Sequence, residues 1–199
     1  MGRIVLLAAI VAAALPLAGA ARAAGATELE LFGKDPGQDA AYSCFTRHYA
    51  PAHLAAHPRQ NVTDMSVFVE STFDKDQGRS NYLEIGVNFR ASNKPFEISG
   101  GCSTAVDGKH LLNCGGDCDG GHFDITTKGM QSIMVAIPDG VRIWDPSAPE
   151  DAEPADPPKG AEFGKDDKLF RLDRADLKAC SALMSEDAKA AIFGTAVAK

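Results

Sequence analysis

The chain has 199 residues, of which 27 are acidic and 20 are Lys or Arg, and its formal net charge at pH 7 is −7. This length suits a single domain with a core of useful size. An acidic surface repels phosphate groups, so the charge argues against nucleic acid and anionic membranes as partners.

The start of the chain has the three regions of a cleavable secretory signal peptide. Arg3 supplies the positive charge, Ile4–Leu17 is an apolar run, and small residues that suit signal peptidase follow. We expect cleavage after Ala23. Residues 1–23 are then the signal peptide, and residues 24–199 form a single exported domain.

Two features argue against a membrane anchor after cleavage. The apolar run is shorter than the ~20 residues that span a bilayer. The stretch Leu17-Ala18-Gly19-Ala20 resembles a bacterial lipoprotein signal, but Ala20 stands where the lipid-bearing Cys must be. We therefore expect a soluble chain that is periplasmic or secreted.

The first predicted element of the mature chain is a helix from Pro36 to Tyr49. Positions i, i+3, i+4 and i+7 of its buried face are Ala41, Cys44, Phe45 and His48. This spacing is typical of one face of a helix. Pro51 breaks or restarts the helix, and Pro58 ends it.

The middle of the chain alternates between apolar and polar residues. Leu83, Ile85, Val87 and Phe89 show the pattern of a half-buried antiparallel strand. Similar alternation recurs at Met65–Val69, Phe96–Ile98, Phe123–Ile125, Ile133–Ile137 and Val141–Ile143. The predicted fold class is mainly β (α+β): a single antiparallel meander sheet or small barrel of about 7–8 strands, with one N-terminal and one C-terminal helix.

Residues 145–167 have a different composition, with prolines among acidic residues and few large apolar groups. We interpret this segment as a long mobile loop. Leu169–Leu172 then forms a short strand. The C-terminal helix follows, with Asp173 as its cap and with Leu172 and Leu177 in the positions of a hydrophobic staple.

Five cysteines remain after cleavage, and outside the cytoplasm they tend to pair. They are Cys44, Cys102, Cys114, Cys118 and Cys180. The odd number leaves at least one unpaired or available for an intermolecular bond. Cys44 and Cys180 lie in the two predicted helices and could join the ends of the domain.

The length of one turn decides whether Cys102 and Cys114 can bond. They flank Asp107-Gly108, a strong hairpin signal. A two-residue loop would turn the two cysteines to opposite faces, whereas a three-residue loop would place both on one face. We predict the Cys102–Cys114 disulfide, and the main alternative is a local bond between Cys114 and Cys118.

The histidines are the candidate metal ligands. His53 and His57 are four residues apart and would share a helix face, which is a metal-ligand spacing. His48 is a third candidate. Imidazole ligands favour copper or zinc, although no Glu completes a zinc-protease pattern between the pair. An ordinary polar helix face explains the same spacing.

The most unusual stretch is Cys114–Gly121, which reads CGGDCDGG. Asp117 and Asp119 could offer oxygens to calcium, but the EF-hand pattern is incomplete. A redox role for Cys114 and Cys118 is disfavoured, because neighbouring carboxylates raise a thiol pKa. A glycine-rich turn pinned by a disulfide is the better interpretation. These two cysteines and two aspartates remain the candidate ligand loop.

No catalytic residue and no particular cofactor is predicted, since nucleophile and phosphate-binding motifs are absent. The sole tryptophan, Trp144, is interpreted as a core residue. Our first hypothesis is an exported, non-catalytic binding or inhibitory module that contacts another exported protein or a small ligand. The alternatives are a periplasmic copper- or zinc-binding protein and a hydrolase whose catalytic residues assemble only in three dimensions.

Overall fold

The computed structural model describes residues 27–105, 111–116, 120–149 and 157–194. In these residues eight antiparallel strands follow one another in chain order and close into a barrel. The prediction of a mainly β fold with an antiparallel barrel is therefore confirmed. The predicted signal peptide, residues 1–23, and Asp117, Cys118 and Asp119 of the candidate ligand loop lie outside the described residues.

The elements have the following bounds. The strands are β1 (Ala41–His48), β2 (Val62–Asp74), β3 (Gly78–Phe89), β4 (Phe96–Thr104), β5 (Leu112–Gly116), β6 (His122–Thr127), β7 (Ser132–Ala136) and β8 (Leu169–Ala175). The helices are α1 (residues 27–32), α2 (Pro51–Ala56), the 3-10 helix η1 (Leu177–Leu183) and α3 (Glu186–Phe193). Within the described part of the chain, no helix is long and apolar enough to cross a membrane.

The segment predicted as the N-terminal helix is strand β1, so that prediction is wrong. β1 pairs with β2 along its whole length. At its centre β1 is buried on both faces, since Phe45 lies inside the barrel and Cys44 lies beneath the C-terminal helices. Burial on both faces hides the two-residue period of a strand and leaves a spacing that also fits a helix.

The inner wall of the barrel is a single apolar core. One layer crosses four strands, in which Phe45 faces Val67, Val67 faces Ile85, and Ile85 faces Ile98. All four side chains are almost fully buried. Eight strands make a barrel just wide enough for side chains to fill, so the inner wall is used for packing.

The two C-terminal helices, η1 and α3, pack against the outside of the barrel. Cys44 and Phe68 of the barrel contact Cys180, Met184 and Ala188 in a second apolar cluster. A disulfide joins Cys44 to Cys180, whose Cα atoms are 5.9 Å apart. This bond fastens η1 to β1 across most of the sequence.

The C-terminal helical region begins later than predicted. Asp173, which we expected to cap it, lies inside β8 and pairs with Thr46 on one side and with Ser132 on the other. The strand continues through Asp173 because it has partners on both sides. The side chain of Asp176 caps η1, and the side chain of Ser185 caps α3.

The second disulfide joins Cys102 to Cys114, the pair favoured from the sequence. The two residues are direct partners across β4 and β5, which is the register of an odd-length connection. Because Cys114 bonds Cys102, the alternative bond to Cys118 is not formed. Two disulfides indicate an oxidising compartment.

The run Val141–Ile143 was predicted as a strand, and it is not one. It belongs to an extended segment that makes two isolated bridges, Gly121↔Val141 and Glu97↔Trp144. The pairing between β4 and β5 stops at Gly100. The segment therefore lies against the part of the barrel wall that β5 is too short to cover.

Candidate functional site

The barrel has two different ends. At the helix-capped end β1 begins and β8 ends, and α1 contributes Leu31 to the core. At the loop end β1 ends and β8 begins, and α2 and residues 137–149 and 157–168 surround the opening. The three candidate histidines all lie at the loop end.

A half-buried cation closes the helix-capped end. The guanidinium of Arg174 donates to the backbone oxygens of Glu30 at 2.9 Å, Leu31 at 3.0 Å and Met130 at 2.7 Å. It also lies 4.6 Å from the centre of the Phe45 ring. The carbonyl groups at the end of a helix lack partners within the helix, so Arg174 satisfies the end of α1.

Two further polar contacts hold α1 in place. Arg79, whose side chain is 8% exposed, pairs with Glu28 at 3.2 Å. The hydroxyl of Thr127 donates to the carboxylate of Glu30. Donors from three strands, two guanidinium groups and one hydroxyl, therefore fix this short helix across the barrel.

At the loop end, Asp167 tethers the segment 157–168. Its buried carboxylate accepts backbone N–H groups from Asn61 at 2.6 Å, Gly164 at 2.8 Å and Val62 at 3.3 Å. Burial raises the pKa of Asp167, and these N–H groups oppose the rise. The segment is thereby bound to the start of β2.

The described part of the predicted mobile loop is packed on the barrel. Ala161 is fully buried, and the Phe163 ring meets Phe89 and Phe170 edge to face at 5.5 and 6.1 Å. Residues 145–149 and 157–167 of that loop are described, and the acidic stretch between them is not. For residues 157–167 the structure differs from the prediction, because Ala161, Phe163 and Asp167 anchor them.

Trp144 is 52% exposed, so its interpretation as a core residue is wrong. Backbone hydrogen bonds in both directions with Glu97, at 2.9 and 3.0 Å, hold it against β4. Ile143 is buried and Arg142 is exposed, so Arg142 and Trp144 project from the same side of the segment. Among the described residues, the Arg142 side chain has no hydrogen-bond or ion-pair partner.

Asp145 fixes the segment just beyond Trp144. Its carboxylate accepts from Lys94 Nζ at 2.8 Å and from the backbone N–H and hydroxyl of Ser147 at 2.9 and 2.5 Å. These contacts, led by Lys94, lower the pKa of Asp145 to about 2.

A concavity of about 510 Å³ lies between residues 139–143 and the segment 157–168. Ile143, Ala161 and Phe163 make its apolar part. Its charged groups are Asp139, Arg142, Glu162 and Lys168. It adjoins Arg142 and so continues the surface from which Trp144 projects.

A second concavity, of about 270 Å³, lies where β1 and β8 separate, and we call it the seam. The two strands pair at only three positions, ending at Thr46↔Asp173, although β8 begins at Leu169. The seam is lined in part by Arg47, Tyr49, His53, His57, Leu169 and Arg171.

His53 and His57 are together in the seam, and their rings stack 4.4 Å apart. The side-chain amide of Gln60 donates to Val62 at 2.8 Å, so its oxygen faces His53 Nε2 at 3.0 Å. That nitrogen therefore carries the proton, and neutral His53 keeps its lone pair at Nδ1. The two ring planes are inclined by 27° to each other.

His48 is separate from this pair. Its Nδ1 lies 2.6 Å from the carboxylate of Asp64 on the neighbouring strand. In the described residues, no group of three His, Cys, Asp or Glu side chains could hold a metal ion. Of the three candidate ligands, the structure brings together His53 and His57.

The described part of the Cys114–Gly121 loop lies against the segment that carries Trp144. Gly120 accepts from the backbone N–H of Arg142 at 2.7 Å. Gly121 has φ +94°, and a Cβ there would lie 2.9 Å from the carbonyl oxygen of Gly140. This position requires glycine, for the turn and for the close approach.

Sequence reasoning missed the cations of the loop end. Arg47 and Arg171 meet at the seam although more than a hundred residues separate them, so no local spacing could show it. Trp144 had one signal, since it stands where the alternating strands give way to the proline-rich segment.

Comparisons with family models, with curated proteins and with solved structures found no match to this chain.

Proposed function

We propose that this protein is an exported, non-catalytic binding module that contacts a partner protein through the loop end of its barrel. Export is supported by the apolar leader in residues 1–23 and by the two disulfides, which form in oxidising compartments. The proposed location is the periplasm or the medium.

The exposure of Trp144 carries this proposal. Burying a large apolar side chain stabilises a fold by about 1.5–3 kcal/mol, and the fold leaves half of this surface in water. Trp and Arg are the residue types most enriched among binding hot spots, and Arg142 projects beside Trp144. A partner that covers both would bury apolar area and provide an acceptor for the guanidinium.

The rest of the barrel supports an external site. The inner wall forms the core, and α1 lies across the helix-capped end. The concavity of about 510 Å³ beside Arg142 offers an apolar floor between charged groups. A protruding side chain of a partner can occupy it while Trp144 contacts the surface around that side chain.

Photo-crosslinking from position 144 tests the proposal. Trp144 is replaced by a benzophenone amino acid, and Leu29 receives the same replacement as a control. Leu29 is 44% exposed on α1, at the opposite end. In an envelope extract of the native host we expect an adduct of discrete mass from position 144 and none from position 29. Identical adducts from both positions, or none from position 144, would contradict the proposal.

The sole tryptophan then reports on binding by the purified partner. Covering Trp144 should shift its fluorescence to shorter wavelength and protect it from acrylamide. Arg142→Ala should weaken binding at least about fivefold, as expected for a hot-spot residue. An unchanged emission at saturation would show that the partner binds elsewhere.

A further inference from the structure

One edge of β8 is not covered by β1. Residues Leu169–Leu172 pair with β7, but the pairing of β8 with β1 stops at Asp173. In the described residues, neither Leu169 nor Arg171 has a pairing partner in β1. An open strand edge presents backbone donors and acceptors that can pair with another extended chain.

The alternation of backbone groups shows which residues face the seam. The carbonyl of Lys168 accepts from Ile137 N–H, and Arg174 N–H donates to Gln131, so even-numbered residues direct their backbone groups toward β7 and its turn. Successive residues of a strand point in opposite directions within the sheet. The N–H and C=O groups of Leu169 and Arg171 therefore point into the seam, two residues apart.

The side chains of the seam give it a positive charge within an acidic protein. Arg47 and Arg171 both pair with Asp173, at 3.3 and 3.2 Å, so two guanidinium groups share one carboxylate. Asp166, the acid in the lining, is paired with Arg59 at 2.9 Å. Among these five side chains the cations exceed the carboxylates by one, and the buried carboxylate of Asp167 lies beyond them, near Tyr49.

An orphaned donor lies at the same place. The Nε atom of Arg47 is buried and has no hydrogen-bond partner in the described residues. Its guanidinium lies 5.4 Å from the centre of the Tyr49 ring. A buried N–H without an acceptor costs about 1–3 kcal/mol, and an incoming carboxylate that draws the guanidinium toward the seam would recover part of this.

We propose that the seam binds an extended acidic segment of a partner protein, which adds as a strand to the edge at Leu169 and Arg171. Its backbone pairs with these two residues, and its carboxylates face Arg47 and Arg171. Strand addition of this kind takes affinity from main-chain hydrogen bonds and specificity from alternate side chains. The site goes beyond the Trp144 surface and does not depend on it.

Size and charge favour this occupant. The seam volume of about 270 Å³ lies below the roughly 300–1,000 Å³ of sites that enclose small molecules, so it suits side chains of a longer chain whose backbone stays at the edge. A second copy of the protein is disfavoured, because like-charged copies repel.

Peptide binding to the full mature protein tests the proposal. The probe is a fluorescein-labelled seven-residue peptide of alternating Glu and Thr, and the control is the same peptide with Lys for Glu. We expect the Glu peptide to raise anisotropy on binding, with weaker binding as salt rises. Amide NMR signals of Leu169 and Arg171 should shift on binding, and the Lys peptide should bind at least tenfold more weakly.

Two variants, each with a control, distinguish the contribution of main-chain hydrogen bonds to peptide binding from that of charge. Leu169→Pro removes a seam-facing N–H and leaves the ladder to β7 intact, since Pro is accepted at the first position of a strand. Leu169→Pro should weaken binding of the Glu peptide roughly two- to tenfold relative to Leu169→Val, which keeps the N–H. Arg171→Gln should weaken binding of the Glu peptide roughly two- to fivefold. Lys178→Gln removes an exposed charge on η1, outside the seam, and should leave binding unchanged. Circular dichroism confirms that each variant is folded.

Four outcomes of the peptide experiments would overturn the proposal. These are no binding of the Glu peptide, equal binding by Leu169→Pro and Leu169→Val, equal competition by free glutamate, and binding that requires added zinc or copper and is lost in His53→Ala/His57→Ala. Dimerisation that Leu169→Pro abolishes would assign the edge to a second copy instead. None of these outcomes bears on crosslinking from position 144, so the two proposals fail separately.

Discussion

The two ends of the barrel use the same residue types for different purposes. At the helix-capped end, Arg174 is half-buried and donates to three backbone oxygens, which holds α1 across the opening. At the loop end, Arg142 is exposed and has no partner in the described residues, and the neighbouring Trp144 is half in water. One arginine holds a helix in place, while the other is the one to which we assign binding in our proposal.

This contrast shows where a filled barrel can acquire a function. The inner wall is needed for packing, so a binding surface must form on the outside or at an end. The loop end is suited to it because Asp167 and Asp145 fix its segments through a few polar contacts. Exposed side chains are then held in place without being buried.

The largest expected effect is the difference in the free energy of unfolding between Arg174→Ala and Arg142→Ala. Arg174→Ala leaves three carbonyl oxygens without their donor and removes the contact with Phe45, so we expect a loss of about 3 kcal/mol in the free energy of unfolding. Arg142→Ala should change it by no more than about 0.5 kcal/mol. Urea unfolding measures both, and equal losses would remove the distinction between the two ends.

The tether of the loop end should have the next largest effect. Asp167→Ala deprives three backbone N–H groups of their acceptor and should cost about 2 kcal/mol. The control Asp166→Ala breaks a partly exposed pair with Arg59 and should cost no more than about 1 kcal/mol. Thermal and urea unfolding compare the stabilities of the two variants. If Asp167→Ala is no less stable than Asp166→Ala, Asp167 does not act as a tether.

The same residue predicts a pH dependence of stability. Burial raises the pKa of Asp167 above the usual 3.8, so the folded chain binds this proton more tightly than the unfolded chain does. The tether is therefore most stabilising at pH 3.8 and below, and part of that stabilisation is lost as pH rises through the folded-state pKa, so the cost of about 2 kcal/mol for Asp167→Ala is what remains above it. As pH rises from 3.8 through the folded-state pKa, the free energy of unfolding of the wild type should fall relative to that of Asp167→Ala.

The smallest effect is local to Trp144. Because Lys94 and Ser147 lower the pKa of Asp145 to about 2, their stabilising contacts are complete above pH 3.8 and are lost as pH falls toward 2. Acrylamide quenching of Trp144 should increase over this range as the segment loosens. Asp145→Asn should show the increased quenching at neutral pH, and quenching equal to that of the wild type would mean that Asp145 does not fix the segment.

Most strands could be predicted from the sequence, and the exceptions have physical reasons. The run Leu83–Phe89 has one face in the core and one face that is exposed or half-buried, so its alternation predicted β3 directly. β1 was missed because both of its faces are buried at its centre, at Cys44 and Phe45. Val141–Ile143 alternates like a strand, but its neighbours offer two isolated bridges rather than a ladder. The candidate site was less predictable, since the seam joins residues near position 50 with residues near position 170.

The sequence by itself determined the antiparallel β class, because strand alternation is a local property of the chain, and it favoured the Cys102–Cys114 pair, whose register the β4–β5 pairing then settled. Tertiary structure alone decided that Trp144 is exposed, that Arg174 closes one end while Arg142 is exposed at the other, and that β8 keeps an open edge beside Arg47. Exposure, pairing and charge balance depend on which distant segments meet when the barrel closes, and no local pattern carries that information.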